Sequence, residues 1–167
     1  PIELIAAYSA FATLGTRAQA TPIVRVENSK GDVLWEPTMS RVPVMSAEEA
    51  WLMVSMMKDV VRRGTAAGSV GSQFSYPAGG KTGTAEKVVG KAYSSDKTLA
   101  VFASAFPLDN PRYAMVILVD EPQNENPQSG HTAGWNAGEV TGRIVQRVAP
   151  MLGISPDFSQ YLDDNLV

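Results

Sequence analysis

The sequence predicts an α+β fold in which helices flank an antiparallel sheet. Three strand-like segments, 84–89, 98–106 and 113–120, follow one another in the second half of the chain. The turn at 107–111 contains two prolines and joins the last two of them. Helical patterns precede and follow this group, which is the order expected for a layered α+β structure rather than for alternating βαβ units.

The first half of the chain predicts two helices and a hairpin. Residues 2–14 repeat apolar side chains at three- and four-residue steps and end before a glycine, as a helix does. Segments 23–27 and 33–35 flank a polar, glycine-containing turn and predict a small hairpin. Ser46 and Glu49 form a capping box that begins the strongest helical pattern in the chain. The apolar face of that helix is predicted to comprise Ala47, Ala50, Trp51, Val54, Met57 and Val61.

The last third predicts a buried strand and a final helix. Residues 115–119 form a continuous apolar run, which is typical of a strand covered on both faces, so we expect helices on both sides of the sheet. Residues 121–129 are polar and contain two prolines, which predicts a loop. Apolar side chains between Val140 and Leu152 mark a helix. We therefore assign 1–153 to one portion of a domain and 154–167 to a C-terminal tail.

Composition excludes several classes of function. The chain has 167 residues, 44% of them hydrophobic, which is enough for a substantial core. Its net charge of −3 and its scattered basic residues argue against nucleic-acid binding. The absence of cysteine removes disulfides, thiolate metal sites and thiol nucleophiles. No apolar run is long enough for a membrane span and no leader pattern opens the chain, so we expect any signal or anchor to lie outside it.

The segment Lys81-Thr82-Gly83-Thr84 carries the clearest chemistry. Placed on a strand, the lysine supplies positive charge, the two threonine hydroxyls can bond a carboxylate, and the glycine leaves room for a substrate. The backbone N–H of Thr84 could stabilise an oxyanion. A phosphate-binding loop is the rival interpretation of Gly-Lys-Thr, but that pattern requires glycine at position 75, where this chain has Ser75.

Two serines match S-x-x-K, and neither is a good nucleophile. Ser55 lies inside the capped helix, where its N–H is committed to helical bonding, and Ser94 is expected in a polar hairpin connection. S-x-N does not occur in the sequence. We therefore expect the nucleophile to be absent from this chain.

The remaining candidate groups predict no catalytic centre of their own. His131, the single histidine, falls in a glycine-containing loop without a G-x-S-x-G serine, so a backbone-bonded loop histidine is favoured over a triad member. Asp120, Glu121 and Glu125 match no calcium loop and predict a solvated acidic segment. Trp135 and the methionines near 53–57 are interpreted as packing groups. No metal is predicted.

Five segments, taken in order, resemble the class B penicillin-binding proteins, in particular the cell-division transpeptidases of the FtsI (penicillin-binding protein 3) family. The ordered set covers nearly the whole chain and is far more specific than any one member. The segments are 2–8, 60–66, 78–85, 106–112 and 119–122. Two details depart from the family pattern: Gly79-Gly80 stands where a single glycine usually precedes the lysine, and 132–137 resembles a variable region.

The resemblance implies the C-terminal part of a penicillin-binding, β-lactamase-like transpeptidase fold. It implies that Lys81, Thr82 and Thr84 bind a substrate carboxylate, that the Thr84 N–H joins the oxyanion hole, and that Gly83 gives access. The implied partners are peptidoglycan stem peptides, β-lactams, the N-terminal remainder of the protein and other division proteins, with no cofactor. The implied location is the periplasmic side of a bacterial inner membrane, with the anchor outside this chain.

Two other functions remain open. A catalytically silent sensor or binding module would keep the carboxylate-binding strand and perform no chemistry. A β-lactamase-like hydrolase would differ from a transpeptidase only in how fast the acyl-enzyme is hydrolysed.

Overall fold

A computed structural model describes residues 1–71, 75–123 and 133–157. Three α-helices, seven strands and one π-helical turn are defined within these residues. In chain order they are α1 (Ile2–Ala12), β1 (Thr16–Ala18), β2 (Val26–Glu27), β3 (Val33–Trp35), β4 (Arg41–Pro43), α2 (Ala47–Arg62), β5 (Gly79–Val89), β6 (Ala92–Phe106), β7 (Tyr113–Asp120), the π-helical turn (Gly134–Gly138) and α3 (Glu139–Met151).

The main sheet contains β5, β6 and β7 in sequence order, and both pairings are antiparallel. β6 lies in the centre. A register shift between Glu86 and Lys87 marks an irregularity in β5. The predicted α+β class with an antiparallel sheet is confirmed.

Helices cover both faces of this sheet. Alternate residues of the central strand point to opposite sides, so they pack against different helices. Ala100, Phe102 and Phe106 of β6 belong to one core cluster, which includes Val145 and Ala149 of α3. Ala105, which is one residue out of step with them, belongs to a second cluster with the C-terminal end of α1 and Met57 of α2. Helices α1 and α2 therefore cover one face, and α3 covers the other.

The capping box predicted at the start of α2 is confirmed. The Glu49 N–H donates to the Ser46 hydroxyl at 3.2 Å, and the Ser46 N–H donates to Glu49 Oε2 at 2.8 Å. These bonds from the backbone and hydroxyl of Ser46 hold the pKa of the Glu49 carboxyl below its ordinary value. Ala50, Val54, Met57 and Val61 are buried as predicted, whereas Trp51 is 61% exposed and Ala47 is also exposed. The prediction was wrong for those two residues.

Two small ladders stand apart from the main sheet. β2 and β3 form the predicted hairpin, although its first strand is shorter than the predicted 23–27. β1 pairs with β4 across an intervening 22 residues and was not predicted, because three-residue strands carry too little periodicity to be recognised. The side chains of Val33, Leu34 and Trp35 in β3 are all exposed.

The first two main strands begin earlier than predicted, whereas β7 spans Tyr113–Asp120 as predicted. β5 begins at Gly79 rather than at residue 84, and β6 begins at Ala92 rather than at 98. The glycine pair allows a close approach: a Cβ at Gly79 would lie 2.9 Å from the backbone nitrogen of Lys58 in α2, and one at Gly80 would overlap the ring of Phe102. The double glycine therefore lets β5 lie tightly between a helix and its neighbouring strand.

The apolar run at 115–119 does form a strand, but none of its five side chains is buried, and Leu118 is exposed. β7 pairs with β6 alone among the described strands, so it lies at the edge of the sheet and receives less cover than predicted.

Ile154 joins the core cluster on the α3 side of the sheet, and the Asp157 N–H donates to the carbonyl of Ser75. The division into 1–153 and 154–167 remains a prediction. Within the described ranges, no helix has both the length and the apolar character required to cross a bilayer.

Candidate active site

The Lys-Thr-Gly-Thr segment lies on an edge strand. Lys81, Thr82, Gly83 and Thr84 occupy the first half of β5, where their register partners on β6 are Ala103, Phe102, Val101 and Ala100. The other edge of β5 pairs with no strand among the described residues. Its backbone N–H and C=O groups are thus available to an extended peptide, which can add to an open sheet edge as a further strand.

Alternation along β5 separates the side chains of the motif into two faces. The two threonine hydroxyls share the face next to the π-helical turn. The Thr82 Oγ1 lies 2.8 Å from the Thr65 Oγ1, and the Ala133 N–H donates to the Thr84 Oγ1 at 3.1 Å. Thr84 is exposed and Thr82 is half-buried, so both hydroxyls can be reached by a ligand. Hydroxyls at this spacing can donate together to one carboxylate.

Lys81 belongs to the opposite face of the strand. Its ammonium donates to the carbonyl of Thr82 at 2.5 Å, and its side chain lines a cavity of about 520 Å³. The wall of this cavity is apolar and is built by α1 and α2, with Tyr8 and Phe11 on one side and Met53 and Met56 on the other. Partial burial in this wall raises the pKa of the Tyr8 phenol. The motif lysine therefore sits at the border of an uncovered apolar space.

Gly83 faces open space, in contrast to the two glycines that precede the motif. A Cβ built at Gly83 would meet no atom within 4 Å, and Gly83 is not among the residues with a positive φ. Neither the packing nor the backbone of this chain explains glycine at position 83. Access for a substrate at Gly83 stays a prediction.

The two S-x-x-K serines lie apart from this arrangement. Ser55 is exposed in the interior of α2, as predicted. Ser94 lies within β6, so its predicted place in a hairpin connection was wrong. It pairs with Lys87, six residues beyond Lys81 and therefore roughly 20 Å along the strand. Ser94 on β6 is thus far from Lys81 on β5. Ser55 lies in the interior of a helix, where its N–H is committed to helical bonding and cannot donate to an oxyanion.

The acidic residues at the C-terminal end of β7 form an ion-pair cluster with Lys87. Lys87 of β5 pairs with Asp120, and with Glu121 at 3.0 Å. Hydrogen bonding to Asp120 and then to Glu121 raises the pKa of the Lys87 ammonium. The described residues contain no group of three or more His, Cys, Asp or Glu side chains arranged to hold a metal ion. Glu125 and His131 lie outside the described residues.

Sequence reasoning did not identify two of the groups that contact the motif. Thr65 precedes Thr82 by 17 residues, and Ala133 follows Thr84 by 49. Thr65 and Ala133 lie in segments 60–66 and 132–137, which stand out in the sequence only for their resemblance to a family. No spacing rule links them to the strand, because their proximity depends on how the loop after α2 and the π-helical turn fold back over β5. The packing interpretation of Trp135 holds in part, since its ring lies against Gly68 while 43% of it stays exposed.

Known proteins with similar sequences identify the family of this chain. The sequence profile of the penicillin binding protein transpeptidase domain matches residues 1–146. The "Probable peptidoglycan D,D-transpeptidase FtsI" of Caulobacter vibrioides is 36% identical over 121 residues, which are 66% of this chain and 20% of that protein. Penicillin-binding protein PbpB of Mycobacterium tuberculosis is 30% identical over 93% of this chain and 24% of its own length. The chain therefore spans about a fifth to a quarter of these relatives.

Solved structures agree with the sequence relatives. The apo transpeptidase domain of penicillin-binding protein 3 from Burkholderia pseudomallei superposes with a TM-score of 0.72 and 30% identity, over 93% of this chain and 43% of that one. Penicillin-binding protein 3 of M. tuberculosis in complex with ampicillin gives a TM-score of 0.77 and 25% identity, over 93% and 35% of the two chains. The profile match, the relatives and the shared fold lead to one conclusion: the chain belongs to the penicillin-binding protein transpeptidase domain family.

Proposed function

We propose that the protein containing this chain is a serine-type peptidoglycan D,D-transpeptidase, and that the chain supplies its substrate-binding strand. The observation that carries the proposal is the Lys-Thr-Gly-Thr motif on the open edge of β5. The motif has hydroxyls on one face and a lysine against an apolar cavity on the other. The names of the relatives, and the ampicillin complex among the similar structures, support the same chemistry.

In the proposed reaction, the substrate peptide binds along β5 with its terminal carboxylate at the Thr82 and Thr84 hydroxyls. The Lys81 ammonium contributes positive charge close to the same site. A serine from a segment outside this chain attacks the carbonyl carbon between the two D-alanines, and the Thr84 N–H donates to the oxygen that gains negative charge. Collapse of the tetrahedral intermediate releases D-alanine and leaves an acyl-enzyme. An amine from a neighbouring stem peptide then attacks this ester, which forms the cross-link and frees the serine.

The uncovered apolar surface supports a site completed by further sequence. Helix α2 contributes the exposed side chains of Met53 and Met56 to the cavity that Lys81 lines, and it also exposes Trp51 and Leu52. Contiguous apolar surface of this kind marks a contact site in a folded protein. The match to the B. pseudomallei transpeptidase domain takes in 93% of this chain but only 43% of that domain. We therefore propose that the segment carrying the nucleophile packs against α1 and α2 and places its serine near Lys81.

The finer setting is also part of the proposal. We place the complete protein in septal wall synthesis, anchored in the inner membrane with this domain on the periplasmic side, and working with other division proteins. This rests on similarity to proteins of the FtsI type.

Reaction with a fluorescent penicillin tests the proposal. The natural full-length protein should be labelled on a serine outside residues 1–167, and the 167-residue chain alone should remain unlabelled. Lys81→Gln should slow labelling of the full-length protein, whereas Lys91→Gln, an exposed lysine at the β5–β6 turn, should leave the rate unchanged. Labelling at Ser55 or Ser94 would show that the nucleophile lies in this chain. Reversible binding without covalent labelling of the full-length protein would favour a silent binding module instead.

A further inference from the structure

Thr65 is held beside the substrate-binding hydroxyl of Thr82 by the surrounding fold. The two Oγ1 atoms are 2.8 Å apart, which is an ordinary distance for a hydroxyl–hydroxyl hydrogen bond. Thr65 follows the end of α2, where the Ala66 N–H donates to the carbonyl of Val60 at 3.2 Å and Ala66 itself is fully buried. The residue next to Thr65 is thus anchored in the core while its own side chain is exposed.

Two glycines leave the space that this arrangement needs. A Cβ at Gly64 would lie 2.8 Å from the Cα of Val60, so the chain turns closely against the end of α2. A Cβ at Gly134 would lie 2.5 Å from the carbonyl oxygen of Thr65, so the π-helical turn lies directly against this residue. The backbone of Thr65 is therefore fixed between α2 and the turn, and only rotation about χ1 of a short β-branched side chain places its hydroxyl.

The proton count of the pair assigns a direction to its hydrogen bond when a carboxylate is present. Each threonine hydroxyl has one proton to donate and two lone pairs that accept. A carboxylate only accepts, so the Thr82 hydroxyl must donate its proton to the ligand. The Thr65 hydroxyl must then be the donor to Thr82. Donation from Thr65 polarises the Thr82 hydroxyl and makes it a stronger donor, since hydrogen bonds in a chain reinforce one another.

We propose that Thr65 is a positioning residue for carboxylate recognition: its hydroxyl donates to Thr82 and directs the Thr82 proton at the carboxylate of a peptide or β-lactam. This rests on the proposed function, because it takes Thr82 as the group that binds the carboxylate. Thr65 need not touch the substrate. Its effect depends on Thr82, and the test exploits this dependence.

The test measures the rate of acylation by a fluorescent penicillin in the natural full-length protein. Thr65→Val removes the hydroxyl with little change in shape, and we expect the rate to fall about threefold to tenfold, which is the range for a single hydrogen bond. Thr65→Ser keeps a hydroxyl and should restore most of the rate. Thr21→Val removes another exposed hydroxyl, which bonds only to the nearby Ile23, and should leave the rate unchanged.

A double-mutant cycle distinguishes positioning from a general structural role. In a Thr82→Val background the Thr65→Val substitution should have no further effect, because the hydroxyl through which it acts is gone. An equal loss in both backgrounds would overturn the proposal, as would a Thr65→Val protein that reacts at the parental rate. Failure of the parent protein to react at all would overturn the proposed function, and this inference with it. A reactive parent with an unaffected Thr65→Val variant would overturn this inference alone.

Discussion

Replacing Gly83 by alanine should separate substrate access from folding. The added Cβ would meet no atom of this chain within 4 Å, and the backbone of Gly83 does not have a positive φ. Alanine at such a position restricts the unfolded chain more than the folded one, so the free energy of unfolding should stay unchanged or rise by about 0.4–1 kcal/mol. The methyl group would nevertheless occupy the open side of β5, where the substrate is proposed to bind.

The expected loss of reactivity follows from the carboxylate contact. The methyl group would lie on the Lys81 face of β5, opposite the threonine hydroxyls, so it would act by holding the substrate peptide away from the strand edge. If the displaced carboxylate loses one hydrogen bond from a threonine hydroxyl, the cost is about 1.5–3 kcal/mol. Since 1.36 kcal/mol corresponds to a factor of ten in rate, acylation by penicillin should slow by about 10- to 150-fold. The assay compares the acylation rate of the full-length protein with its stability in urea.

Gly80→Ala is the matched control, three residues earlier on the same strand. Its Cβ would overlap the ring of Phe102, which is 1% exposed, and would lie 2.8 Å from the carbonyl oxygen of Ala103. Overpacking of this kind costs about 1–3 kcal/mol, so this variant should lose stability. The reasoning is refuted if Gly83→Ala loses stability as Gly80→Ala does, or if it reacts with penicillin as fast as the parent.

Three further predictions concern contacts around the site and the fold. Gly134→Ala should push Thr65 away from Thr82 and slow acylation about threefold to tenfold, as Thr65→Val does; an unchanged acylation rate would contradict the assigned contact. The lowered pKa of Glu49 means that its capping bond with Ser46 stabilises the fold at neutral pH and is lost as the pH falls through the carboxyl range. Glu49→Gln should therefore flatten the acid side of a stability–pH curve measured in urea, and an unaltered curve would argue against the capping role. The raised pKa of Lys87 means that its ion pairs stabilise the fold below the ordinary lysine pKa and are lost as the pH rises above it. Lys87→Met should lower stability slightly at neutral pH, less so in high salt, and a loss independent of salt would indicate packing instead.

The sequence predicted those parts of the fold that depend on neighbouring residues. The capping box of Ser46 and Glu49 spans four residues, so it was recognised and located correctly. The three main strands were found because each carries several apolar or β-branched residues in succession. The bounds of β7 were predicted correctly, but the start of β5 was not, because Gly79-Gly80 has the composition of a turn. Only the closeness of α2 and Phe102 explains why a strand begins there.

Burial was less predictable than secondary structure. The helical pattern of α2 places Trp51 next to the buried stripe, and periodicity alone does not distinguish a residue that faces the sheet from one that remains exposed. The same holds for Met53 and Met56, which line the space beside Lys81. Their exposure follows from which elements cover α2, and that information is tertiary. The contact between Thr65 and Thr82 was unpredictable for the same reason.

Strand alternation explains why the motif needs its residue types in this order. Residues 82 and 84 share the face that Thr65 and the π-helical turn support, so hydroxyls at both positions can act on one carboxylate. Residues 81 and 83 share the opposite face, where Lys81 borders the cavity in which the nucleophile is proposed to lie. A side chain at 83 would project from the same face as the lysine. Exchanging Thr82 and Gly83 would keep the composition of the motif but place a hydroxyl on the cavity face and a gap beside Thr65. The proposed function therefore depends on the order of these residues as well as on their presence.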